Sequence, residues 1–106
     1  MAQVKWTIKA DRLFDKYVFN AFLEYGTKTS KKWMQERIEF ADRVAKHPES
    51  YTLEPFLSER KRVYRSCLIM QRFKIVYYYA KLSDIVHVVD IWDTKMSPDK
   101  LKQRIK

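Results

Sequence analysis

Phe73-Lys74-Ile75-Val76-Tyr77-Tyr78-Tyr79-Ala80-Lys81, then Leu82-Ser83-Asp84, then Ile85-Val86-His87-Val88-Val89-Asp90-Ile91-Trp92-Asp93-Thr94, reads as two strands and the turn that joins them. Both runs are β-branched and aromatic with few polar breaks, as expected of central strands covered on at least one face. The break between them is short enough for an antiparallel hairpin. Immediately upstream, Val63–Met70 has the same character and joins Phe73 through a tight turn around Gln71-Arg72. Three consecutive antiparallel strands are therefore expected at the C-terminal end of the chain.

Further upstream the period changes. Phe14, Tyr17, Val18, Ala21, Phe22 and Tyr25 recur at three- and four-residue spacing from Asp11 onward, one face of an amphipathic helix. Gly26, the only glycine, stands where a helix takes a left-handed residue at its C-terminal end. Thr29 and Ser30 are candidate caps for a second helix. Its apolar stripe is Met34, Ile38, Ala41 and Ala45, widened by Trp33, Phe40 and Val44, and His47-Pro48 stops it. A four-residue turn between the two predicts an antiparallel helical hairpin. Val4, Trp6 and Ile8 alternate with Lys5, Thr7 and Lys9, the period of a half-buried strand. Ser97-Pro98-Asp99 opens a short final helix through Ile105, weakly apolar with only Leu101 and Ile105 to dock. The expected class is α+β: β-α-α-β-β-β, a twisted antiparallel sheet against a helical hairpin, with an optional C-terminal helix, all in one domain over residues 1–106.

The chain carries 22 Lys+Arg against 13 Asp+Glu, a formal net charge of +9. Such an excess attracts polyanions: nucleic acid, an acidic protein, or an anionic membrane surface; the bland alternative is a basic surface that is only solvated. Cys67 is the single cysteine, so no intramolecular disulfide and no cysteine-based zinc site is possible. No signal region opens the chain and no apolar run has membrane-spanning length, so a cytoplasmic protein without membrane contacts is expected.

Catalytic kits are scarce. One glycine excludes a glycine-rich phosphate loop, no metal cluster is visible, and no cofactor is expected. What remains is cations on a sheet. Arg60, Lys61, Arg62, Arg65, Arg72 and Lys74 fall within one hairpin and its approach, and Lys95 follows the last strand. If Arg65 and Lys74 share a face near Tyr78, the sheet offers phosphate contacts beside an aromatic ring, a pattern suited to single-stranded RNA. His87 reads as a packed or hydrogen-bonded strand histidine and Cys67 as a small buried hydrophobe.

In their order and spacing, Val63-Tyr64-Arg65-Ser66-Cys67-Leu68, Phe73-Lys74-Ile75-Val76-Tyr77, Ile85–Asp93 and Ser97-Pro98-Asp99-Lys100-Leu101 resemble the three C-terminal strands of RelE/ParE toxins, a family that includes plasmid stabilisation proteins. Glu24-Tyr25-Gly26 and Lys46-His47-Pro48 are similar to that family's helical hairpin. The resemblance implies the toxin of a bacterial type II toxin–antitoxin system, which inhibits growth and is covered by an acidic, extended antitoxin. It implies two possible targets: DNA gyrase for ParE-like members, the ribosome and its mRNA for the metal-independent RelE-like endoribonucleases. For the nuclease branch, Arg65, Lys74 and Lys95 stand at positions of catalytic cations, while Cys67 replaces the second cation of its strand. Leu101 lies near the place of the expected tyrosine, which leaves Tyr78 and His87 as substitutes for proton transfer. Two roles are missing or weakened, so the binding, ParE-like reading is preferred; a non-toxic interaction module is the third reading. Arg60, Lys61, Arg62 and Arg72 are expected at the partner or target surface. The helix pair and sheet edge should supply apolar antitoxin contacts, with Trp33, Phe40 and Trp92 as anchors where they are exposed and core packing as their competing role. A homodimer of the free chain is an open alternative.

Overall fold

Thr7 ends the first strand. Its hydroxyl accepts the Ala10 amide at 3.1 Å and caps a helix that begins at once. In the computed structural model, which describes residues 1–105, β1 is therefore Gln3–Trp6 and α1 is Ile8–Tyr25. Ile8 is not a strand residue but the exposed first residue of that helix. α2 (Thr27–Lys46) starts one residue after α1 stops. The expected four-residue turn is a one-residue joint: Gly26, at φ +91°, donates its N–H to the Phe22 carbonyl at 2.9 Å and receives the Ser30 amide. Ser30 is no cap; its hydroxyl donates to the Thr27 carbonyl inside the first turn.

β2 (Tyr64–Ile69), β3 (Phe73–Ala80) and β4 (Ile85–Asp93) follow, then α3 (Pro98–Arg104) with Ser97 as its cap. The sheet order is β1-β4-β3-β2. The three C-terminal strands are antiparallel, and β1 joins parallel to β4. β4 carries one extra residue: Val76 faces Asp90 and Tyr77 faces Val88, so Val89 is a bulge. Before it Val86 and Val88 point at the helices; after it Ile91 does.

Both faces of the sheet are used. The helical hairpin covers Ile69, Phe73, Ile75, Tyr77, Val86 and Val88. Phe40 sits edge-on to Trp6 and Tyr77, and Tyr17 stacks on Phe73 at 4.3 Å. On the opposite face Leu57, from a short 3-10 turn (Pro55–Leu57), joins Leu101 and Ile105 over Tyr64, Val76 and Trp92. Leu101 and Ile105 are buried, and each such side chain contributes roughly 1.5–3 kcal/mol, so two suffice to dock α3.

The β2–β3 turn is centred on Met70 and Gln71, with φ of 55° and 57°, one residue earlier than the sequence suggests. Arg72 donates its amide to the Ile69 carbonyl to close it. Asn-Gly is the usual pair for such a turn. Met70 is held by its buried side chain and by the Glu36 carboxylate, which accepts its amide at 3.2 Å. Gln71 is exposed and has no such compensation. Gln71→Gly should therefore raise the unfolding free energy by about 0.5–1 kcal/mol, the left-handed strain relieved less the added chain entropy. Chemical denaturation measures it, and a loss of stability would contradict the account.

Candidate functional site

The pairing register decides which cations can act together. Arg65 lies opposite Tyr77, and Lys74 opposite Leu68 and Trp92, so the two point to opposite faces of the sheet and do not form the shared phosphate patch that the sequence suggested. Arg65 donates to the Tyr51 carbonyl at 2.8 Å on the helix side. Lys74 pairs at 2.9 Å with Glu54, whose side chain is wholly buried and also accepts the Phe56 amide. The Lys74 ammonium rests 5.6 Å from the Phe56 ring and 5.4 Å from the Trp92 ring. Both cations are thus bound up in the protein's own architecture.

Lys95 is exposed at the mouth of a cleft of about 790 Å³ between the Gly26 end of the hairpin and the β2–β3 turn. Trp33, half-buried, forms part of its wall. Arg72 also borders it but is committed to Asp93 by two hydrogen bonds, at 2.9 and 2.6 Å. Those bonds hold the Asp93 carboxyl below the usual carboxylate range. Phe40 and Trp92 are core residues, each 2% exposed, and cannot anchor a partner. Both were candidate anchors only where exposed, and the competing role of core packing is the one the structure gives them.

Tyr78 and His87 are cross-strand neighbours and stack, with ring centroids 4.8 Å apart. The Arg62 guanidinium lies 4.0 Å over the Tyr78 ring. Partial burial first, then Lys5 and Arg62, lower the His87 pKa. Arg60 turns toward α3 and donates to the Lys102 carbonyl at 2.7 Å, while Lys61 is exposed. Elsewhere, burial pushes the Tyr77 phenol up to about 12 and raises the Cys67 thiol, which removes both as reactive groups near neutral pH. Among the described residues no cluster of His, Cys, Asp and Glu could hold a metal ion, and no helix is long and apolar enough to cross a membrane.

The sequence placed apolar partner contacts on the helix pair without identifying the residues that supply them. On the outer side of the hairpin a groove of about 490 Å³ runs between the helices, lined by Val18, Phe19, Phe22, Met34 and Ile38. Phe19 is 59% exposed and Ile38 60%. The available signal was the second i, i+4 pairing, Phe19 with Leu23 and Met34 with Ile38, which turns away from the face holding Phe40 and Val44. The stripe assigned to α2 thus mixed two faces: Phe40 and Val44 face the sheet, Met34 and Ile38 face solvent. Arg37 lies over the Trp6 ring at 3.7 Å.

A mixed four-stranded sheet carrying a helical hairpin on one face and a short terminal helix on the other defines a small α+β fold. Among solved structures it is similar to a chain of the chromosomal ParDE TA system from P. aeruginosa, with a TM-score of 0.68 and 18% sequence identity over 88% of this chain and 96% of that one. No family model and no curated protein sequence matches the chain.

Proposed function

We propose that the chain, as one domain, is the toxin of a bacterial type II toxin–antitoxin module in the cytoplasm, acting by binding an essential target and neutralised by a cognate antitoxin. The observation that carries this is the fold shared with the ParDE chain over nearly the whole length of both. DNA gyrase is the target in the ParE-like branch. Binding is favoured over RNA cleavage by the fate of the cations: Arg65 serves the Tyr51 carbonyl, Lys74 serves Glu54, and they lie on opposite faces. Cleavage of a phosphodiester by cations requires them to converge on one phosphate.

The antitoxin is assigned to the groove between α1 and α2. An exposed apolar strip on a chain of charge +9 suits an amphipathic helix with acidic flanks, whose charge speeds and orients association. The β2 edge adds a shorter contact. Its first half is occupied by the chain itself, through Glu54 to Tyr64 and Ser66 to Thr52, while Leu68 beyond is exposed.

Induced expression of the chain alone is the test. The expected result is growth arrest with relaxed or damaged DNA and intact mRNA. Codon-position cuts in translated mRNA would establish the nuclease instead, and normal growth with folded protein would remove the toxin reading. Phe19→Glu with Ile38→Glu should abolish neutralisation by a cognate antitoxin and leave arrest intact, because both side chains are already mostly in water. Retained co-purification of that double variant with the antitoxin would put the partner elsewhere.

A further inference from the structure

We infer that Lys5, Arg62 and His87 form a binding site for the phosphodiester backbone of a nucleic acid, on the sheet face that the hairpin does not cover. The inference is independent of the growth target. Lys5 stands beside His87 in the parallel β1–β4 register, and His87 stacks on Tyr78, over which Arg62 is folded. Two permanent cations and an imidazole are thus gathered around one aromatic pair. Among the described residues, neither Lys5, Lys61 nor Arg62 comes within ion-pair distance of a carboxylate. Carboxylates from adjoining segments are engaged otherwise: Asp84 accepts the Tyr79 hydroxyl, and Asp90 is paired with Arg104 and Lys9. Glu59 is exposed nearby in sequence, and among the described residues it makes no ion pair. Positive potential left uncompensated at one spot is what an anion would neutralise; burial first, then Lys5 and Arg62, lower the His87 pKa.

A backbone rather than a base or an isolated phosphate is indicated by two features. The Tyr78 ring is taken by His87 and Arg62, so it offers little free face for a stacked base. Further cations adjoin the site in the chain: exposed Lys61 directly precedes Arg62, and Arg60 before it donates to the Lys102 carbonyl on α3, so more than one phosphate can be met. Contacts of this kind are indifferent to sequence.

The test is fluorescence anisotropy of the whole protein with labelled single-stranded RNA, single-stranded DNA and duplex DNA, from about 50 to about 200 mM salt. Binding of at least one is expected, and comparison of the three identifies the strand type. Lys5→Gln with Arg62→Gln should weaken it several-fold and flatten the log–log salt dependence by about 2. The control is Lys16→Gln with Lys28→Gln, which removes the same charge from exposed positions on the hairpin. Equal weakening by the control would reduce the effect to net charge and overturn the site. Absence of binding at the lowest salt, or equal competition by poly-glutamate, would overturn it as well. Thermal melts of both variants establish that the fold is kept.

Discussion

Lys74→Met is expected to lower the unfolding free energy by about 3–5 kcal/mol, the cost of stripping the partner from a buried charge. Glu54 has a side chain with no solvent exposure, and among the described residues only Lys74 and the Phe56 amide donate to it. Removing the ammonium leaves a carboxylate that can neither reach water nor find a second cation among its neighbours. The reverse change is milder. Glu54→Gln leaves Lys74 uncompensated, yet its side chain is 23% exposed and its long stem can carry the ammonium outward. Lys74→Met combined with Glu54→Leu should recover most of the loss, since an apolar pair against Phe56 and Trp92 replaces two desolvated charges. Urea unfolding of the three variants measures this. The same experiment separates structure from catalysis: a nuclease lysine would lose activity on substitution while stability stayed within about 0.5 kcal/mol. That second pattern would restore the RNA-cleaving reading.

The pair also shows where sequence reasoning ended. Lys74 was legible as a cation on a strand, but Glu54 sits in the irregular stretch between α2 and β2, with no periodicity to say that it turns inward. Element order was legible because each run of residues carries its own period: two for the strands, 3.6 for the helices. The faces were less so. Val86, Val88 and Ile91 line one side only because Val89 is a bulge, and strict alternation from Val86 would have pointed Asp90 at the hairpin. Ring size alone left Phe40 and Trp92 open between anchor and core, and both are core, while Phe19, outside the stripe assigned to α1, is exposed in the outer groove. Gly26 was read as a helix end, and it is one. That it serves as the start of the next helix as well depends on its N–H and carbonyl being used in opposite directions, which composition does not reveal.

Asp90 carries the second large effect, and its sign can be worked out for pH. It is fully buried on β4, paired with Arg104 of α3 and, at 3.8 Å, with Lys9 of α1. Burial raises its pKa, and Arg104 followed by Lys9 pull it back down. A folded-state value above the unfolded one, about 3.9, means that the folded chain holds the proton longer. Its contribution to stability is therefore full below the unfolded value and is lost as pH rises through the folded one. Arg104→Ala takes away the larger of the two opposing influences, so the Asp90 pKa climbs and the falling window extends upward. The variant should be close to wild type near about pH 4 and weaker by about 3 kcal/mol near about pH 7.5. Asp90→Asn added to Arg104→Ala should flatten that pH dependence, because no buried charge is left to strip of its partner. Asp90→Asn by itself should cost less than Arg104→Ala, since the Arg104 side chain is 20% exposed and keeps water. Denaturation at the two pH values decides the matter: a deficit equal at both would mean that Arg104 acts by packing α3 through its stem and not by compensating Asp90.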